Sequence, residues 1–195
     1  MLNYPLELSF KIATIGTRVR IVDAAGRQVA YLRKKKFRLK EDVRVYEDED
    51  RSRLLFRIRA DRVVDFGASY AVSGPDGRPL GAVRQRGVRS LWKSTYEVGN
   101  AQGKMIGVIH EENPFVKGLD SLAEALPFAD ALGGLIFNPA YLVDLGGETV
   151  LRMQKERSVF ESRFRLEKLG DFSEDEEELL LASLMMVLLL ERDRG

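Results

Sequence analysis

Cysteine is absent from this sequence of 195 residues, and histidine occurs once, at His110. The absence of cysteine excludes a disulfide framework, a thiolate zinc site and a cysteine nucleophile. A Ser-His-Asp triad would have to use His110, which has no accompanying nucleophile motif, and no P-loop, GxGxxG or GxSxG pattern occurs. We therefore predict that the protein is not an enzyme, with no catalytic residues, no metal site and no cofactor.

Long apolar runs are also missing. The longest, LLLASLMMVLLL, covers residues 179–190, whereas about 20 residues are needed to span a bilayer. The N-terminus, MLNYPLELSFKIATIG, lacks the basic and continuously apolar regions of a secretory signal. We expect no transmembrane segment and a cytoplasmic protein, peripheral at the inner membrane face if it binds lipid.

The charges are nearly balanced in number but unevenly distributed. The chain has 31 Lys+Arg and 30 Asp+Glu. Residues 1–110 contain 22 basic and 12 acidic side chains, and residues 111–195 contain 9 and 18. A basic half indicates an anionic partner such as a lipid surface. The alternative is that both halves are solvated faces of one domain.

A repeat indicates β-hairpins. Residues 70–83 and 96–109 both fit Y-x-V-x4-G-x3-G-x-[VI], an apolar strand, a polar turn with glycine and a second strand. Related units occupy residues 19–32, 43–58 and 141–153, so five hairpins predict ten strands. Apolar and charged residues alternate within 53–59, 88–98 and 158–167. Such one-sided burial is typical of a sandwich or a closed barrel.

Residues 173–192 are predicted to form a helix. Ser173 and Glu176 make a capping box, and acidic residues fill the first turns. Between Leu179 and Leu190 only Ser183 is polar, so the helix has no polar face and must be buried on every side. We predict a mainly β domain over residues 1–195: a closed antiparallel barrel of about 10–12 strands around this helix. The alternative is a sandwich with a hydrophobic tail.

Residues 112–139 interrupt the hairpin rhythm. A short helical pattern that includes Leu119 and Leu126 is stopped by Pro127. This excursion is interpreted as a cap over the barrel mouth, or as an apolar flap that meets a membrane or a protein partner.

The chain resembles the tubby C-terminal-like superfamily, which includes tubby proteins, phospholipid scramblases and LURP-one-related proteins. YLRKKKFRLKEDVRVYEDEDRSRLLFRIRAD (31–61) is similar to the LURP-one-related opening, a basic strand, a "vYd" strand, a polar turn and an "l-f-x-v" strand. DGRPLGAVRQRGVRSLWKSTYEV (76–98) is similar to the next block, "D-x-G-x-x-l-x-x-i-x-r-k-x-x-s-l-x-x-x-y-x-i".

The resemblance implies a barrel around a buried hydrophobic helix. It also implies binding of phosphoinositide headgroups by basic residues on the barrel exterior, as in tubby domains. Scramblases are linked to calcium-dependent phospholipid movement, and LURP-one-related proteins to plant defence. The sequence departs from scramblases because their acidic calcium loop is not recognisable and their cysteine-rich segment is absent.

A basic strand supplies the candidate site. Four cations alternate along one face of residues 33–40, where like charges repel unless they meet anionic phosphates. The alternative is an edge strand that lysines protect against pairing. The predicted lipid- or phosphate-binding residues are Arg33, Lys34, Lys36, Arg38, Lys40, Arg57, Arg59, Arg89 and Lys93.

Other candidates favour structural interpretations. The acidic turn 47–50 lacks the spacing of an EF-hand and is interpreted as a solvated turn. Trp92 and Tyr96 alternate toward the barrel interior, so nucleic-acid binding is not expected. The function hypothesis is therefore a non-enzymatic module that binds anionic phospholipid or phosphoinositide headgroups. The alternative is a protein-interaction or scaffold domain that uses residues 111–139.

Overall fold

Twelve antiparallel strands form a closed barrel. The structure is a computed structural model and describes residues 1–13, 16–34, 42–60, 69–86, 95–112, 140–156, 158 and 161–193. The strands are β1 Leu6–Ala13, β2 Gly16–Val22, β3 Gln28–Lys34, β4 Val43–Tyr46, β5 Leu54–Ala60, β6 Ser69–Ser73, β7 Pro79–Arg86, β8 Thr95–Asn100, β9 Met105–Glu111, β10 Ala140–Leu145, β11 Glu148–Glu156 and β12 Ser162–Lys168.

Every strand pairs with its neighbours in the sequence, and β12 pairs with β1 to close the barrel. Leu8 lies opposite Phe164 in this closing pair. The five predicted hairpins are β2–β3, β4–β5, β6–β7, β8–β9 and β10–β11, so that prediction is confirmed. Closure excludes the sandwich alternative.

The repeat in the sequence is explained by its turns. The Asn100 side-chain oxygen accepts hydrogen bonds from the backbone N–H groups of Gln102 and Lys104, at 3.1 and 3.0 Å. Asp23 does the same for the N–H groups of Ala25 and Arg27, both at 2.9 Å. Each turn places a glycine, Gly26 or Gly103, at a positive φ that side chains disfavour. The spacing from Asn or Asp to Gly is therefore a turn requirement.

The helix α1, Glu174–Asp193, fills the barrel. Residues 179–190 are each at most 5% exposed, and the inward residues of the strands join them in one apolar core. The only polar member, Ser183, donates its hydroxyl to the carbonyl of Leu179 at 2.7 Å. The prediction of a helix without a solvent face is confirmed, and within the described residues no helix is long and apolar enough to cross a membrane.

The predicted capping box fixes the start of the helix. Glu176 accepts the Ser173 N–H at 2.8 Å, and the Glu176 N–H donates to the Ser173 hydroxyl at 3.3 Å. The N-terminal segment lies against the same end, where Glu177 accepts the N–H of Leu2 at 3.1 Å. Tyr4 packs edge-on against Phe172, with 6.2 Å between ring centroids.

The antiparallel order gives the barrel two different ends. The turn end carries the turns 23–27, 47–53, 74–78, 101–104 and 146–147, and the start of α1. At the opposite end, here the far end, the odd-numbered strands end, the even-numbered strands begin, and α1 reaches Asp193. The predicted excursion 112–139 lies, apart from Glu112, outside the described residues.

A substitution at Gly81 on β7 measures how closely α1 packs against the barrel strands. An added Cβ would lie 2.1 Å from the Gly99 carbonyl oxygen and 2.8 Å from a Leu179 methyl carbon. We expect Gly81→Ala to destabilise the fold by about 3 kcal/mol or more, measured by urea unfolding, because backbone and helix must both shift.

Gly103→Ala is the matched control, because its φ is +76° but nothing lies within 4 Å of its added Cβ. It should cost about 1–2 kcal/mol, the strain of a left-handed alanine. Equal losses in the two variants would contradict close packing of α1 against β7.

Candidate anion-binding surface

The predicted site residues are only partly within the described chain. Arg33 and Arg59 are exposed near the far ends of β3 and β5, and neither side chain forms an ion pair or hydrogen bond with another described residue. Lys34 is described by its backbone alone, as the last residue of β3. Five predicted residues lie outside the described chain: Lys36, Arg38, Lys40, Arg89 and Lys93.

Arg57 has a different environment from the other two arginines. Its guanidinium forms an ion pair with Asp42, with Nε 3.4 Å from one carboxylate oxygen and Nη2 closer to the other. Arg44 approaches the same carboxylate at 3.5 Å. The hydrogen bond from Arg57 holds the pKa of Asp42 below its usual value, despite the opposing effect of burial. Arg57 therefore has a local structural partner, unlike Arg33 and Arg59.

The sheet register brings further cations beside Arg33. Arg33 lies opposite Arg18 on β2, and Arg18 lies opposite Lys11 on β1. We call Lys11, Arg18 and Arg33 the basic row. Arg18, like Arg33, has no ion pair among the described residues, and Lys11, 68% exposed, approaches Glu161 at 3.6 Å. Like charges at directly opposed positions repel, so an anion over this row would relieve that cost.

Sequence reasoning missed Lys11 and Arg18. The available signal was the alternation of charged and apolar residues within 16–22, which places Arg18 and Arg20 on one face of a strand.

A groove runs beside the basic row on the outer face of the barrel. Its volume is about 380 Å³. Ser9 on β1 lies between Arg20 on β2 and Arg163 on β12, directly opposite both, so a short side chain separates two long ones. We call this the Ser9 groove; its lining is Glu7, Leu8, Ser9, Lys11, Arg18, Arg20, Val22, Tyr31, Glu49, Glu161 and Arg163.

Two carboxylates form ion pairs with two of the three arginines that line this groove. Arg20 is paired with Glu49, and the Nε of Arg163 donates to Glu161 at 2.7 Å. The hydrogen bond from Arg163 lowers the pKa of Glu161 against the effect of burial, and that from Arg20 lowers the pKa of Glu49. Both carboxylates are therefore ionised at neutral pH.

His110 does not form part of a nucleophilic triad in the described structure. Its Nε2 lies 3.0 Å from Asp144, which also accepts the Thr149 hydroxyl at 2.7 Å. The hydroxyl is bonded to the carboxylate rather than to the imidazole. These contacts link β9, β10 and β11 on the outer face.

Acidic side chains of the turn 47–50 contact neighbouring residues of the same turn. Asp48 accepts the Ser52 hydroxyl at 2.8 Å, and Glu47 approaches Arg53 at 3.6 Å. Among the residues that the structure describes, no group of three or more His, Cys, Asp or Glu side chains is placed to hold a metal ion.

Acidic side chains outnumber basic ones at the turn end of the barrel. Residues 23–27, 47–53, 74–78, 101–104, 146–148 and 169–178, all at the turn end, contain 13 acidic and five basic side chains. Lys11, Arg18 and Arg33 lie toward the far end. The basic row therefore lies away from the acidic turn end.

Comparison with known proteins finds a family-model match over just under half of the chain. Residues 28–121 match the family model described as LURP-one-related. This match confirms the resemblance predicted from the strand motifs, and the barrel around its C-terminal helix fits the tubby-like superfamily. A solved X-ray structure of a protein from Arabidopsis thaliana covers 100% of this chain and 94% of its own, at 14% identity and a TM-score of 0.32. No curated protein matches the chain.

The ion pair of Arg57 gives a pH-dependent prediction. Because the pKa of Asp42 is lower in the folded protein than in the unfolded chain, where it is about 3.9, the pair stabilises the fold above about pH 4. That contribution is lost as the pH falls through the folded pKa. We expect Arg57→Gln to lower the free energy of unfolding by up to about 1 kcal/mol at pH 7 and by much less at pH 2.

Urea unfolding at the two pH values measures this, with Asp42→Asn as the matched variant that breaks the same pair. Equal losses at pH 7 and pH 2 would contradict the assignment.

Proposed function

We propose that this chain, which carries a LURP-one-related sequence over residues 28–121, is a non-enzymatic module that binds anionic phospholipid headgroups at a membrane surface. The observation that carries the proposal is the basic row, because Arg18 and Arg33 are exposed and adjacent without an ion pair in the described structure. The tubby-like resemblance supports the same class of ligand.

The geometry of the row suits a layer of headgroups. Adjacent strands lie about 4.8 Å apart, so the three cations extend about 10 Å across the outer wall. A basic residue near an anionic surface contributes about 1 kcal/mol of binding, and the attraction is screened beyond about 10 Å at 0.1 M salt. Three cations within this range act together.

The predicted residues outside the row extend the same proposal. The chain that contains Lys36, Arg38 and Lys40 continues directly from β3, and the chain that contains Arg89 and Lys93 continues from β7. The strands β3, β5 and β7 all end at the far end of the barrel. We propose that these residues add to the basic surface, and that the protein acts in the cytoplasm, peripherally at the inner membrane face.

Vesicle sedimentation tests the proposal. The full chain should bind phosphatidylserine vesicles at low salt, bind less at high salt and not bind pure phosphatidylcholine. We expect Arg18→Ala and Arg33→Ala each to weaken binding about five-fold, the equivalent of about 1 kcal/mol per cation.

Lys104→Ala is the matched control, because Lys104 is an exposed cation in the β8–β9 turn at the other end of the barrel. Its loss should change binding little. Absence of binding at low salt, or an equal loss in all three variants, would overturn the proposal. Protein capture that depends on Phe115, Leu132 and Phe137 would then favour the interaction role of residues 111–139.

A further inference from the structure

The Ser9 groove contains an anion-binding position that the protein's own carboxylate fills. Glu49 pairs with Arg20, and the positive charges of Arg18 and Lys11 also act on it. A phosphate group binds arginine through the same paired N–H···O geometry as a carboxylate. An external anion in the place of the Glu49 carboxylate would therefore meet the same cations.

The two carboxylates that pair with arginines of the groove, Glu49 and Glu161, differ in how easily they can leave. Glu161 is 10% exposed, bonds Arg163 and approaches Lys11, so it is held by the wall. Glu49 is 48% exposed and belongs to the β4–β5 turn. That turn is closed by the backbone hydrogen bond from Glu47 to Arg53 at 3.0 Å, which does not involve the Glu49 side chain. The Glu49 side chain can therefore rotate away without breaking the sheet.

We propose that Glu49 is a built-in competitor of the anion site: a phosphomonoester group binds Arg20 beside Ser9 and Arg18 by displacing the Glu49 carboxylate. This inference rests on the proposed function, since it regulates phosphate binding by the same outer wall. The phosphate group belongs either to a lipid headgroup or to a soluble phosphate compound. Ser9 leaves the space for it and offers a hydroxyl donor.

The competition sets the size of the expected effect. Arg20 and Glu49 are both about half exposed, and exposed ion pairs contribute about 0.2–1 kcal/mol, equivalent to a 1.4- to 5-fold change in affinity. Glu49→Gln removes the competing charge while preserving side-chain size. It should therefore lower the Kd for inorganic phosphate about three-fold.

The experiment is an NMR titration of the full chain with inorganic phosphate, following the Nε–Hε signal of Arg20. Glu47→Gln is the matched control, because it lies in the same turn, removes the same charge and pairs with Arg53 instead. We expect a saturable shift at Arg20, tighter binding in Glu49→Gln and no change in Glu47→Gln. In Arg20→Gln, followed at the Nε–Hε signal of Arg18, phosphate should bind more weakly, and the further change Glu49→Gln should give a smaller gain than it gives in the unaltered chain.

Several outcomes would overturn the inference: no shift at Arg20, an unchanged Kd in Glu49→Gln, or an equal gain in Glu47→Gln, which would indicate general electrostatics. Sedimentation with phosphatidic acid vesicles distinguishes the two sources of phosphate. A gain in Glu49→Gln with vesicles as well as phosphate supports a lipid headgroup, and a gain with phosphate alone supports a soluble compound.

Failure of this inference is separable from failure of the proposed function. One outcome separates the two: phosphatidylserine vesicles bind in a way that depends on Arg18 and Arg33, but Glu49→Gln does not change the affinity for phosphate. That outcome would support the membrane role and contradict the role of Glu49 as a competitor.

Discussion

The rest of the structure depends on burying a helix that has no polar face. Residues 179–190 of α1 would expose apolar side chains on every side in water, so the chain must surround them. A closed barrel of twelve strands has an interior wide enough for a helix. The interior of a barrel with fewer strands is filled by the side chains of the strands themselves. Gly81, which lies against both Gly99 and Leu179, shows how little space remains between helix and wall.

Filling the barrel with its own helix leaves the outer wall and the ends for binding. The outward positions of β1, β2, β3 and β12 carry the basic row and the Ser9 groove. Thirteen acidic side chains lie at the turn end, and several of them suit the start of α1 through its dipole. The near-neutral total charge thus conceals an acidic turn end.

The fold was largely predictable because its signals are local. Asn100 and Gly103 mark a turn by their spacing, and Ser173 and Glu176 mark the helix start within four residues. The site was less predictable because it depends on pairing between distant segments. The contact of Arg20 with Glu49 crosses two strands, and the approach of Lys11 to Glu161 requires barrel closure. Arg57 illustrates the same limit, since its partner Asp42 is fixed by the register of β4 and β5.

Amide hydrogen exchange of the full chain tests most directly whether the enclosed helix holds the fold together. The amides of residues 179–190 should exchange as slowly as those of the most protected strands, because water reaches them only when the whole barrel unfolds. Denaturant should accelerate both sets in parallel. Faster exchange of the helix while the strands remain protected would contradict the account, because the barrel would then persist without its core.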